Sequence, residues 1–446
     1  MSKKNYSLSI CLCLATVGSP LLMASEVIES QEIVIKERAG SVDLDLRLTE
    51  FLDFAKDLHR QGILDGEILV VRDGQTLLNE RSEGIDEEPQ FMIGSVSKQF
   101  FAVALLKALY ESSQCETEDQ KVADVKEKLH LPISQFLPEE STIWAGEMPA
   151  WAQEVSLHHM LTHTSGILNY TNVEGFRQSN QTDSNKLWFE SYRSTSEIIK
   201  LISKEPLSFV PGSKYSYCNT GYVIISEVIE VITSVSASQY IQQALFDPLC
   251  LSSTINPEQG MWDELKNDPK ISRLLAPLKY DPRENLADLY PLLHCEDISV
   301  AKGAGSIIST ALDLLHWNLS LHKNKTVLPE ELYNLFMTPN MDGYGYGIVI
   351  ENNDSGLLYG HGGGIGSYRT QLLYMPEHDL SIILLSNICY DFDKIEDEFN
   401  ALLIDLQDTI ADEKEREKTA EKIINEKYPM KRGFAILAEE LGKVIK

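Results

Sequence analysis

Cysteine is scarce and badly spaced for any cysteine-based architecture. The chain has seven, and Cys11 and Cys13 fall near its start. Cys115, Cys218, Cys250, Cys295 and Cys389 remain, an odd number scattered along the sequence. That is neither a disulfide framework nor a zinc pattern. Positive charge is also short: 39 Lys and Arg stand against 67 Asp and Glu, a net charge of −28. The balance argues against nucleic acid or an anionic membrane surface as a partner. There is no Walker loop and no dinucleotide fingerprint. The glycines from 360 to 366 do not keep Gly-x-Gly-x-x-Gly spacing and sit among strand-like residues. Internal repeats and low-complexity tracts are lacking. Beyond the N-terminus no apolar run looks long enough to cross a bilayer. His158, His159 and His163 crowd together, and the last two have the spacing of zinc ligands on a helix. No Glu lies between them, however, and neither a metal nor another cofactor is expected.

What is present is enough apolar material for a large core, 43% of 446 residues. Residues 1–24 read as a secretory signal peptide, with Lys3 and Lys4 ahead of an apolar stretch at 8–17 and Ala24 before a cleavage point. This predicts a periplasmic or secreted bacterial protein with no membrane span after cleavage, an uncleaved anchor being the alternative. Residues 25–44 read as a linker, 45–408 as the main domain and 409–446 as a charged helical tail, in which Glu413-Lys414-Glu415-Arg416-Glu417-Lys418 suits a solvated helix.

Residues 67–72 and 75–80 flank Asp73-Gly74, a two-residue hairpin pattern. Residues 346–350, 357–360, 369–375 and 380–385 read as further strands, and the middle of the chain as mostly helical. A lone hairpin is marginal. The economical fold is mixed α/β (α+β): one antiparallel sheet built from both chain ends and flanked by helices, plus a mostly helical lobe. Polar stretches at 174–193 and 275–293 read as loops, either at a site mouth or simply on the surface.

Three short motifs carry the chemistry: Ser95-Val96-Ser97-Lys98, Tyr217-Cys218-Asn219 and His361-Gly362-Gly363. A serine hydroxyl needs a nearby base to become a nucleophile. Three apart on a helix, Ser95 and Lys98 share a face, and a partly desolvated lysine can serve as that base. Two of the motifs recur in isolation, the first as Ser299 with Lys302 and Ser320 with Lys323, the second as Tyr170 with Asn172. Context separates them. Phe91-Met92-Ile93-Gly94 leads into Ser95, and Phe100-Phe101-Ala102-Val103-Ala104-Leu105-Leu106 follows, the pattern of a buried helix with Ser95 at its N-terminus.

These motifs, with His163-Thr164-Ser165-Gly166, Pro211-Gly212-Ser213-Lys214-Tyr215, Phe246-Asp247-Pro248-Leu249 and Ala304-Gly305-Ser306, resemble the serine β-lactamase-like hydrolases. That family holds class C β-lactamases, D-alanyl-D-alanine carboxypeptidases and related esterases. The resemblance spans roughly residues 45–405. It implies a β-lactamase/transpeptidase-like fold and an acyl-enzyme on Ser95. Lys98 and Tyr217 are then the catalytic partners, with the choice of primary base between them open. Asn219, His361, Gly363 and Gly364 become substrate-binding residues, the backbone N–H groups of Ser95 and Gly364 forming the oxyanion hole. His361 stands where β-lactamases of the family carry Lys, and Gly362 where Thr or Ser is usual. The resemblance therefore implies a small ester, amide or peptide substrate, esterase or D-amino-acid-type peptidase activity being favoured. The alternatives are a β-lactamase, a carboxypeptidase, or a catalytically silent protein of the same fold that binds peptides or a partner.

Overall fold

The computed structural model describes residues 41–60, 66–173 except 83, 84, 86 and 145, 193–258, 267–275, 278–280, 289–291, 298–390 and 433–444, with parts of 401–423. The leader, most of the linker, nearly all of 174–193 and Cys295 lie outside these residues.

Strands β1 (Gly66–Arg72) and β2 (Gln75–Arg81) form the expected hairpin. Asp73 and Gly74 both take positive φ there, the turn that matches the twist of paired strands. The helical middle follows, entered through the short strand β3 (Phe91–Met92) and the helix α2 (Ser97–Glu111). It continues with α3 (Glu118–His130), α4 (Leu157–Leu161), α5 (Thr195–Ile202), α6 (Asn219–Thr233) and α7 (Ala237–Ile241). Short strands β4 (Leu278–Tyr280), β5 (Leu289–Pro291) and β6 (Ile308–Ser309) come next, then helices α8 (Ala311–Asn318) and α9 (Glu330–Phe336). The chain returns to the main sheet as β7 (Val349–Asn353), β8 (Gly356–Ile365), β9 (Tyr368–Met375) and β10 (Leu380–Ser386). After β11 (Ile388–Tyr390) it ends in α10 (Gly433–Val444).

The main sheet runs β2-β1-β10-β9-β8-β7, every pair antiparallel, so both ends of the chain do supply it. Alternation sorts its side chains. Leu69, Val71, Leu372, Ile383 and Leu385 face the helical lobe. Ile68, Val70, Leu373, Met375, Ile382 and Leu384 face the other way, onto Leu44, Leu48, Phe51, Ala55 and Leu58 of α1 (Ser41–Arg60). The spacing of those five residues makes one apolar helical stripe.

Four expectations change. The linker does not reach residue 44, because α1 begins at Ser41. The tail is not merely a solvated appendage: Leu437, Leu441 and Val444 of α10 are buried in the same cluster as α1 and the outer sheet face. The 275–293 stretch contributes β4 and β5, which with β11 form a small second sheet. Strand β8 also runs past residue 360, through the glycines, because β9 keeps pairing with it as far as Ile365. Glycine has little strand propensity, so the pattern fades where the ladder does not.

Candidate active site

Ser95 lies in a single turn at Gly94–Val96 between β3 and α2, just ahead of the helix rather than as its first residue. Gly94 holds φ +53°, and a Cβ on it would stand 2.6 Å from the backbone nitrogen of Gly364. A Cβ on Gly363 would stand 2.0 Å from the Ile93 carbonyl oxygen. Only glycine lets β8 and the Ser95 turn meet this closely. On the other side the Ile93 N–H donates to the Ile307 carbonyl (2.9 Å), and the Ile307 N–H to Ser97 Oγ (3.0 Å). The Ser95 turn is thus wedged between a sheet strand and the 304–309 segment.

Three side chains converge there. Lys98 Nζ donates to Ser95 Oγ at 2.9 Å, and the Tyr217 hydroxyl donates to the same oxygen at 2.7 Å. Lys98 Nζ also donates to the Ala304 carbonyl (2.6 Å) and stands 4.9 Å from the centre of the Tyr217 ring. Lys98 is fully buried and Ser95 is 6% exposed. Loss of one proton from this trio leaves Ser95 in contact with a base, on nitrogen or on oxygen. The close approach of β8 also brings the backbone nitrogens of Ser95 and Gly364 to one end of the turn, where a developing oxyanion would sit.

Asn219 opens α6, and its backbone N–H donates to Asn169 Oδ1 at 3.3 Å. His361 is placed differently from the expectation of a substrate ligand at the strand surface. It is 2% exposed, its Nδ1 meets the Gly362 carbonyl and its Nε2 the Tyr344 hydroxyl (2.8 Å). A carbonyl only accepts, so Nδ1 carries the proton and Nε2 accepts from Tyr344. Burial, the nearby Lys98 charge acting with it, pulls the imidazole down to about 3. His361 is a neutral wall of the site behind Tyr217. Arg369, level with Gly364 across the ladder, donates Nη1 to the carbonyls of Gly366 and Tyr368 and so holds the β8–β9 turn.

The other histidines are spoken for separately. His158 Nδ1 meets the Tyr346 hydroxyl, His159 Nδ1 accepts from the Ser156 N–H, and His163 Nδ1 accepts from the Cys218 N–H. Among the described residues no three His, Cys, Asp or Glu side chains are grouped to hold a metal ion. Cys218 is buried, and burial raises its thiol. Sequence reasoning missed the Ala304 carbonyl and Tyr344. The first sits in the Ala304-Gly305-Ser306 stretch that carried part of the resemblance. Tyr344 had no pattern to betray it.

A helical lobe set on an antiparallel sheet, with the reactive turn pinned where the two meet, is the β-lactamase/transpeptidase-like architecture, whose members are serine hydrolases. Residues 49–406 match the family described as Beta-lactamase, and the chain belongs to that family. It is similar to penicillin-binding protein 4* of Bacillus subtilis, 24% identical over 250 residues, which cover 53% of this chain and 52% of that protein. The chain thus spans about half the length of this relative. Among solved structures it is similar to a D-stereospecific amidohydrolase from Streptomyces sp. (TM-score 0.58, 19% identity, 76% of this chain and 94% of that one). A D-amino acid amidase from Ochrobactrum anthropi SV3, complexed with L-phenylalanine amide, is similar too (TM-score 0.56, 18% identity, 78% and 92%). At these identities the likeness to the solved structures is one of fold.

Proposed function

We propose that the protein hydrolyses small esters or D-amino-acid-type amides through an acyl-enzyme on Ser95, in preference to β-lactams. One observation carries the reading: a single buried serine oxygen takes hydrogen bonds from both Lys98 and Tyr217. Ser95 Oγ attacks the substrate carbonyl, and its proton passes to the Lys98 amine or the Tyr217 phenolate. The oxyanion is met by the backbone N–H groups of Ser95 and Gly364. The same base returns the proton to the leaving alcohol or amine, and water repeats the sequence to release the acid.

Substrate preference rests on β8. A β-lactam or a C-terminal D-alanyl peptide presents a carboxylate near the scissile carbonyl. Position 362 has no hydroxyl to bind it, and the His361 imidazole is neutral and bonded at both nitrogens. Without a charge-assisted contact from these two positions, anion binding forgoes about 1.5–3 kcal/mol, roughly tenfold to hundredfold. The D-stereospecific amidohydrolase and D-amino acid amidase neighbours support amides as the second substrate class. The test is kcat/KM for p-nitrophenyl acetate, a D-amino-acid anilide and a chromogenic cephalosporin, with Ser95→Ala as control. The ester is expected to exceed the cephalosporin by roughly that factor. A cephalosporin turned over better than the ester overturns the preference.

A further inference from the structure

The His163-Thr164-Ser165-Gly166 motif is spent on the Tyr217 loop. The Ser208 N–H donates to the Gly166 carbonyl, and the Gly212 N–H to that of Thr164, both at 2.8 Å. At the loop's reactive end both bonds fall on one residue. The Ser216 N–H donates to the His163 carbonyl (2.8 Å), and the Cys218 N–H donates to His163 Nδ1 (3.1 Å). These are the N–H groups of the residues on either side of Tyr217. The His163 ring also lies against the Tyr217 ring, centroids 4.2 Å apart.

Two features show that this arrangement is held at a cost. His163 has φ +57°, a left-handed conformation that non-glycine residues seldom take, and it lets carbonyl and imidazole address the same segment. Its Nδ1 accepts, so its proton sits on Nε2. That nitrogen is buried without a hydrogen-bond partner among the described residues. An unmet buried donor costs about 1–3 kcal/mol. Burial, aided by the charge of Lys98, holds the ring's affinity for a second proton well below the ordinary histidine range, which keeps Nδ1 free to accept.

We propose that His163 is a positioning residue that clamps the backbone on both sides of Tyr217 and so aims the phenol at Ser95. The proposal deepens the acyl-enzyme reading and rests on it. The clamp acts through the acceptor at Nδ1, not through ring bulk. His163→Phe keeps a ring and loses the acceptor. His163→Asn keeps an acceptor at the same reach and tolerates the left-handed backbone.

The experiment compares these variants in wild-type and Tyr217→Phe backgrounds, with ester hydrolysis and amide exchange as readouts. His163→Phe should lower kcat by roughly tenfold or more with little change in KM, since misaiming a catalytic group costs rate. His163→Asn should recover most of that loss. In Tyr217→Phe the same His163→Phe change should cost little more, because its target is gone. The Cys218 amide should exchange fast in His163→Phe and slowly in His163→Asn, whatever the activity. An equal loss in both backgrounds, or a protected Cys218 amide in His163→Phe, overturns the clamp. A wild-type protein that shows this exchange pattern but accepts no acyl group overturns the acyl-enzyme reading and leaves the clamp standing.

Discussion

Ser95 Oγ sits between two candidate bases, and the carbonyl of Ala304 takes a second hydrogen bond from one of them. That carbonyl orients the Lys98 ammonium and leaves the Tyr217 hydroxyl with the serine. Burial acts on another residue, Glu67 of β1. It is fully buried, held by Arg81 Nε at 2.9 Å, and its second oxygen has no hydrogen-bond partner among the described residues. Desolvation outweighs Arg81 and raises its carboxyl to about 7. The folded state therefore binds a proton that the unfolded chain has released, and Glu67 lowers stability as pH rises from about 4.5 to 7. Glu67→Gln removes that dependence. Urea denaturation should show the variant gaining on the wild type, by about 1–3 kcal/mol, between pH 5 and pH 8. A difference that does not move with pH contradicts the assignment. The reactive trio was legible in the sequence because Ser95 and Lys98 share one helical turn and Tyr217 lies in its own motif. Ala304 acts through a backbone carbonyl about two hundred residues from Lys98, which no side-chain pattern records. His163 was visible in its His-Thr-Ser-Gly motif, and its zinc-like spacing from His159 was set aside, but no pattern recorded that its ring and carbonyl serve the Tyr217 loop.

Among elements, α10 helps to cover the outer face of the sheet. Its Leu437, Leu441 and Val444 share a core with α1 and with β1 and β10, strands at the centre of the sheet. Full burial of each such side chain contributes about 1.5–3 kcal/mol. Removing residues 433–446 should lower the melting temperature sharply and leave the protein prone to aggregate, with loss of acylation following loss of fold. A truncated protein that melts with the full-length chain contradicts the packing of α10. The strands were legible where short apolar runs are bounded by turn residues, as in β1, β9 and β10. They were not where close packing against the Ser95 turn leaves room only for glycine, as at Gly363 in the second half of β8. The role of α10 was obscured because the charge run before it suggests solvent, whereas the stripe that buries it needs α1 as partner. Neither helix can be paired by its own pattern alone.

At the scale of the whole molecule the sheet joins β1 and β2 to β7–β10 from the far end of the chain, and the lobe meets it through the 94–96 turn and α8. The reactive turn lies at that junction, held by β8 on one side and the 304–309 segment on the other. The strong negative charge of the chain sits apart from this chemistry: Lys98 is the charged member of the trio, and it is buried. In the proposed function the junction makes Ser95 a nucleophile with Lys98 as its partner. Intact-protein mass spectrometry after incubation with a fluorophosphonate, followed by peptide mapping, tests this most directly. One adduct on the Ser95 peptide is predicted for the wild type, none for Ser95→Ala, and for folded Lys98→Ala a rate lower by roughly hundredfold or more. An adduct that persists in Ser95→Ala, or forms at the wild-type rate in Lys98→Ala, contradicts the account.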